Sequence, residues 1–229
     1  MKLANFLTWQ NWALLGLNLA VESLILFLSI KRDFYKRLLM LTVLAGYCVL
    51  IDAAFIVLAL VVNVDSFSGK IYYSRISWNF YWLSQIAASL LILLLSVQIA
   101  IETLKLNYVT ALWGMIASTL LILAAGILIP GMVLGNMLML VTIGDVLAGL
   151  ALLIIGALPS TKWPQGFPLV VTGIVLSVTL HALCSIGSAY WHTLTPLFNI
   201  GVPVSSLLGM IIFALAVYRH GERNPAPIT

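Results

Sequence analysis

The chain has 229 residues, of which 62% are hydrophobic and only 8% are charged, and its net charge is +4. A soluble globule of this size needs far more polar surface than this composition supplies, which excludes a water-soluble protein. The basic residues are scattered over the ends of apolar segments, where anionic lipid headgroups attract them. We therefore expect a lipid bilayer as the partner of this surface, and no nucleic acid.

Seven apolar segments are each long enough to cross a bilayer, since about 20 apolar residues in a helix span its hydrocarbon core. In chain order they cover residues 8–30, 38–63, 77–103, 108–129, 133–158, 168–192 and 196–218. The polar segment 64–75, between the second and third spans, is predicted to be an interfacial loop. The sequence thus predicts an all-α polytopic membrane protein of seven transmembrane helices, forming one domain over residues 1–229.

The distribution of basic residues predicts how the spans are oriented. With the N-terminus outside and the C-terminus in the cytoplasm, the segments on the cytoplasmic side hold eight basic residues: Lys31, Arg32, Lys36, Arg37, Lys105, Lys162, Arg219 and Arg223. Only Lys2, Lys70 and Arg75 then lie outside. Because cytoplasmic loops carry the excess of lysine and arginine, this orientation is the predicted one.

Spans 1–3 and spans 5–7 enter the membrane with the same orientation, so a parallel repeat of three helices on each side of a linking helix is predicted. Glu22 and Asp145 lie near the centres of the first and fifth spans, and Asp52 and His181 near those of the second and sixth. This plan is similar in topology to the sugar-transporting SWEET family and to microbial rhodopsins. The motifs of both families are absent, since the seventh span has no lysine for retinal and the first and fifth have no interior proline.

Polar and aromatic residues cluster in the third span at Trp78, Tyr81, Trp82, Ser84 and Gln85. In this stretch and in length the chain resembles uncharacterised seven-helix membrane proteins of bacteria. The resemblance implies a multi-pass protein of a cell membrane, namely the bacterial inner membrane.

Three of the seven acidic residues, Glu22, Asp52 and Asp145, lie near the middle of predicted spans. An ionised, unpaired carboxylate at that depth costs at least several kcal/mol, so such residues usually face the bundle interior and mark ion or substrate pathways. His181 is the one group at similar depth that can supply a positive charge. We expect these four side chains to converge on one ligand-binding or ion-binding site.

Other polar residues share helix faces with this group. Asn18 lies one turn before Glu22, and Ser188 follows His181 at helical spacing on the sixth span. Trp82 and Gln85 of the third span complete the predicted site. Small residues at such spacing, including Gly173 and Ser177, are also what close helix packing requires, and for the serine and glycine positions we favour that interpretation.

The predicted function is therefore the binding of a small ligand or cation in a central cavity, in a proton-coupled transporter or a receptor-like sensor. One alternative is a non-catalytic scaffold, an interaction subunit that meets a membrane protein partner or another copy of itself. A second alternative is a metal-dependent membrane hydrolase. The sequence contains no nucleophile elbow, P-loop or dinucleotide fingerprint, so it favours a non-enzymatic protein without a cofactor, and it leaves any metal site undefined.

Overall fold

The computed structural model describes residues 9–61, 67–105, 137–157, 163–164, 166–190 and 195–223. Six α-helices account for almost all of them: α1 (Trp9–Lys31), α2 (Leu39–Val61), α3 (Phe67–Leu104), α4 (Met137–Ala157), α5 (Phe167–Tyr190) and α6 (Thr195–Arg223). A short 3-10 turn, Phe34–Lys36, joins α1 to α2. The all-α prediction is confirmed.

Four of the described helices are long and apolar enough to span a membrane, over Trp12–Lys31, Leu39–Val61, Ile86–Leu104 and Phe167–Cys184. Val146–Ile155 and Pro203–Arg219 are shorter apolar stretches in α4 and α6. The fourth predicted span, 108–129, lies outside the described residues, so α4, α5 and α6 correspond to the fifth, sixth and seventh predicted spans.

The boundaries of α1, α2, α4 and α5 lie within a few residues of those predicted, and α6 continues five residues beyond its predicted end. The prediction of a loop over 64–75 is wrong from Phe67 onward, because α3 begins there and runs for 38 residues. No proline interrupts the sequence between Phe67 and Leu104, so every backbone N–H can continue the helix.

Each described helix packs against its neighbours in the chain, and α6 packs back against α1, which closes the circuit of helix contacts. Large apolar side chains on the outer faces remain exposed, with Leu50 70% and Phe27 58% accessible. In a membrane these faces contact lipid. A smaller set of residues is buried inside the bundle.

Among the side chains that the structure describes, the buried apolar cluster lies towards one end of the bundle. Its members come from all six helices and from the α1–α2 connection, and include Ile25, Phe34, Leu38, Leu41, Leu44, Leu95, Ile99, Leu152, Phe167, Val170, Ile174, Phe213 and Val217. Residues 31–37, called here the basic turn, lie at this end, which we call the basic end.

The basic turn is fixed by specific contacts. Asp33, two residues after the end of α1, has a positive φ of 53°. Aspartate tolerates this conformation better than most residues. The exposed Lys36 ammonium donates to the Asp33 carboxylate at 3.1 Å, and this hydrogen bond raises the pKa of Lys36. Arg32 donates to the Tyr218 carbonyl oxygen and its guanidinium lies 4.6 Å from the centroid of the Tyr218 ring, which ties the turn to α6.

Gln98 of α3 fixes the other side of the basic turn. Its Nε2 donates to the Arg37 carbonyl oxygen at 3.0 Å, and its Oε1 accepts from the Met40 N–H at 3.0 Å. Met40 is in the first turn of α2, where backbone N–H groups have no partner inside the helix. One side chain therefore caps α2 and holds α3 against it.

Candidate functional site

A group of polar side chains lies between α1 and α2, well inside the membrane-spanning segments. Glu22 is nine residues before the end of α1 at Lys31, about 14 Å along the axis. Asp52 is thirteen residues after the start of α2 at Leu39, about 20 Å along it. Because the two helices run antiparallel from the basic turn, Glu22 and Asp52 come to neighbouring levels.

The carboxyl groups of Glu22 and Asp52 interact electrostatically, and the Cys48 thiol interacts with both of them. Cys48 and Asp52 are four residues apart and so share a face of α2, just as Asn18 and Glu22 share a face of α1. We call these four residues the polar layer.

Three oxygen atoms of the polar layer are buried and have no hydrogen-bond partner among the described residues. Glu22 is only 3% exposed, and its Oε2 atom has no hydrogen-bond partner among the described residues. The same holds for Asn18 Oδ1 and Asp52 Oδ2. Buried polar atoms are nearly always hydrogen-bonded, so three adjacent exceptions on two facing helices require an explanation.

All three of these atoms are oxygens, and two of them belong to carboxyl groups. Within the described part of the chain, no basic side chain is among the groups that act on either carboxyl group. Unpartnered carboxylate and amide oxygens are suited to a proton or a cation, which bind to such acceptors.

Buried apolar side chains lie between the polar layer and the basic end. Phe34 is fully buried there, and its ring lies against Gly166, where a Cβ atom would be 3.4 Å from Phe34 Cε2. Gly166 has a φ of +87°, which favours glycine. Ile25 and Leu41, also fully buried, fill the space between Phe34 and the level of Glu22.

Further hydroxyl groups on the basic-end side of the layer, those of Ser29, Thr42 and Thr103, have no hydrogen-bond partner within the described ranges. Ser29 is seven residues after Glu22, so the polar face predicted for α1 extends over at least Asn18, Glu22 and Ser29.

The other predicted site residues lie in α3, α4 and α5. His181 is a half-buried residue of α5. Trp82 and Gln85 are in α3, Asp145 in α4 and Ser188 in α5, but their side chains lie outside the described part of the structure. The structure thus brings Glu22 and Asp52 together, with Asn18 on the same face as Glu22, and the convergence of Asp145 and His181 on them stays a prediction.

The small residues of α5 face α6. A Cβ atom on Gly173 would be 2.5 Å from Phe213 Cε1, and one on Gly209 would be 2.8 Å from the Cβ of Ser177. A Cβ on Gly201 would meet the Cys184 sulfur. For these positions the close-packing interpretation is confirmed, and the glycine face of α6 is covered by α5 of the same chain.

The structure adds Cys48, which was not among the predicted site residues, through its interaction with Glu22 and Asp52. Its position four residues before Asp52, on the same face of α2, was the signal in the sequence that could have identified it. Tyr47 was also missed, and its hydroxyl donates to the Ser84 carbonyl oxygen at 3.0 Å, linking α2 to α3 beside the layer.

Among the residues that the structure describes, no three histidine, cysteine, aspartate or glutamate side chains are grouped so as to hold a metal ion. The chain matches no protein-family model, and no curated protein or solved structure is significantly similar to it.

Proposed function

We propose that this membrane protein binds a small ligand or cation in the polar layer and couples its occupancy to protonation of Glu22 or Asp52, as a proton-coupled transporter or a receptor-like sensor. The observation that carries the proposal is the Glu22 carboxyl group, which is 3% exposed and has an unpartnered Oε2 while it faces a second carboxyl group.

This observation favours a binding site over a purely structural role. A carboxyl group retained to fix helix register is expected to be satisfied by donors, because a buried polar atom without a partner costs about 1–3 kcal/mol. In the polar layer, one buried oxygen each of Asn18, Glu22 and Asp52 has no such donor among the described residues. A bound proton, cation or hydrogen-bonding ligand provides the missing interaction.

The packing of the basic end supports a direction of access. Phe34, Ile25 and Leu41 are fully buried between the basic turn and the level of Glu22, which favours access to Glu22 from the other end. A ligand therefore enters from the opposite end, where the polar part of the long helix α3 begins. Transport requires a second conformation in which the basic turn separates from α5 and α6, whereas sensing requires only that occupancy change the contacts of this turn.

The scaffold alternative receives less support. It predicts that the acids are satisfied by neighbouring helices and that the glycine faces meet other subunits. Gly201 and Gly209 instead pack against Cys184 and Ser177 of the same chain.

The proposal also includes seven transmembrane spans with the N-terminus outside. It includes a parallel repeat of three helices on each side of a linking helix, and the bacterial inner membrane as the location. It assigns Asp145, His181, Trp82, Gln85 and Ser188 to the wall of the same cavity. In the proposed repeat, Asp145 has the position in its unit that Glu22 has in the first.

Cys48 provides the test. The chain has two cysteines, so Cys184→Ala leaves Cys48 as the single thiol, in electrostatic contact with Glu22 and Asp52. The charged thiol reagent MTSET is added to one side or the other of sealed membrane vesicles. We expect labelling of Cys48 from the side opposite the basic end and protection from the basic-end side.

The accessible control is Lys36→Cys in a chain without Cys48 and Cys184, because the Lys36 side chain is 60% exposed. It should react from the basic-end side. If the control reacts and Cys48 reacts from neither side, the polar layer is a dry helix contact and the proposal is wrong.

A further inference from the structure

We infer that the polar layer is a binding site for a small monovalent cation of the Na⁺ type, held by Glu22 and Asp52 together with Asn18; this rests on the proposed function and specifies its ligand. Three features of the polar layer support this assignment: the kind of atoms available, their number and their charge.

The kind of atoms points to a hard cation. Asn18 Oδ1, Glu22 Oε2 and Asp52 Oδ2 are buried and have no hydrogen-bond partner among the described residues. Carboxylate and carbonyl oxygens are the ligands that hard cations prefer, whereas an anion or a neutral hydrogen-bond acceptor would need donors. Glu22, with 3% of its surface exposed, fixes one of these oxygens inside the bundle.

Three side-chain oxygens do not by themselves complete the ligand shell of a divalent ion. Ca²⁺ takes about 6–8 oxygen ligands, and Mg²⁺ requires an octahedral set that usually includes several waters. The backbone carbonyls of α1 and α2 are engaged in helix hydrogen bonds, so side chains supply the ligands here. The described residues contain no third acidic, histidine or cysteine ligand placed to complete a metal centre.

When both carboxyl groups are ionised, the charge of the layer favours a bound cation. Two ionised carboxylates next to each other in the low dielectric of a bundle repel strongly, and no described basic side chain acts on either of them. A monovalent cation bound between them cancels half of this charge and turns the repulsion into two attractions.

The experiment is thermal unfolding of the purified full chain in detergent, in NaCl and in choline chloride at equal ionic strength. Because a ligand that binds only the folded state stabilises it, we expect Na⁺ to raise the Tm by about 2–8 °C at saturation. Glu22→Gln and Asp52→Asn should each abolish this shift. Glu102→Gln is the matched control, since it neutralises an acid of α3 that lies beside Lys105, at 4.0 Å, and should keep the shift.

A second measurement keeps the test decisive if a variant does not fold. Broadening of the ²³Na NMR line by the unmodified chain, and its reversal by competing Li⁺ but not by choline, reports Na⁺ binding directly. Equal Tm values in NaCl and choline chloride, with no line broadening, overturn the inference.

Failure of the inference is distinguishable from failure of the proposed function. If Na⁺ has no effect but Cys48 still reacts with MTSET from the end opposite the basic turn, the layer is a water-accessible site for another ligand. If Cys48 is also unreactive from both sides, the site itself does not exist. A shift of equal size in Glu22→Gln and in the unmodified chain assigns the Na⁺ effect to the surface and contradicts the inference.

Discussion

Gly173 of α5 and Gly209 of α6 face each other so closely that a Cβ atom on Gly173 would lie 3.2 Å from the Gly209 carbonyl oxygen, and one on Gly209 would lie 3.3 Å from the Gly173 carbonyl oxygen. Close backbone approach of this kind is typical of helix pairs in membranes, where van der Waals packing replaces the hydrophobic effect as the force between helices. The α5–α6 pair makes the most extensive contact between the described helices.

Adding a methyl group at this contact should destabilise the protein. Gly209→Ala brings a Cβ to 2.8 Å from the Ser177 Cβ, and Gly173→Ala brings one into the buried Phe213 ring. Neither neighbour can move without shifting a helix, so we expect each variant to lose about 1–3 kcal/mol of unfolding free energy. Thermal unfolding in detergent measures the loss.

Gly16→Ala is the control for this prediction, because nothing lies within 4 Å of a Cβ at Gly16. Alanine is favoured over glycine in a helix by about 0.5–1 kcal/mol, so this variant should be as stable as the unmodified chain or slightly more so. Equal destabilisation at positions 16, 173 and 209 would contradict the close contact.

Removing the amide of Gln98 should weaken the attachment of α3 to the basic turn. Gln98→Leu leaves the Met40 N–H and the Arg37 carbonyl oxygen without their side-chain partner. We expect a loss of about 1–3 kcal/mol. Gln98→Glu keeps an acceptor for Met40, and only its protonated form has a donor for the Arg37 carbonyl oxygen, so it should lose less at a pH where the carboxyl group is protonated. Chemical or thermal unfolding of the three chains gives the order.

The comparison for Gln98 is Thr172→Val, because the Thr172 hydroxyl donates only to the Pro168 carbonyl oxygen of its own helix, at 2.8 Å. Loss of this exposed local bond should change stability by less than about 0.5 kcal/mol. A larger effect of Thr172→Val than of Gln98→Leu would mean that the bridge between α2 and α3 contributes nothing.

Truncating Phe34 should remove the packing that closes the basic end. Phe34 is fully buried, so Phe34→Ala is expected to cost about 3–5 kcal/mol. Phe27→Ala removes the same ring from a position that is 58% exposed, and should cost much less. If Phe34→Ala folds, Cys48 in the same chain should gain reactivity towards MTSET from the basic-end side. Similar stability of the two alanine variants would show that the Phe34 ring is not packed.

The predicted orientation can be tested by fusing reporter domains to the chain. Green fluorescent protein inserted after Lys36 or joined to Thr229 should fluoresce in a bacterial host, since both positions are expected in the cytoplasm. Alkaline phosphatase fused after Val64 should be active, since that position is expected outside. The reverse pattern would mean that the topology is inverted. If positions 36 and 64 both lie on the same side of the membrane, the second predicted span does not cross it.

The sequence by itself determined the helical class, the membrane-compatible length of four described helices and most of their boundaries, because apolar runs and prolines act locally. The acidic residues in the spans were also evident from it, since a carboxyl group in an apolar run is conspicuous whatever its neighbours. It did not show that α3 begins at Phe67, because a polar helix outside the apolar stretch has no hydrophobic pattern to mark it.

Only the tertiary structure decided which side chains meet. Helical periodicity placed Asn18 and Glu22 on one face of α1, but the rotation of α1 relative to α2 is set by packing along their whole length. That rotation brings Cys48 and Asp52 to Glu22. It also directs Phe34 inward from a basic segment and places Gln98 beside Arg37 and Met40, more than 55 residues away in the chain. Such contacts depend on the free energy of the assembled bundle, and no local pattern in the sequence encodes them.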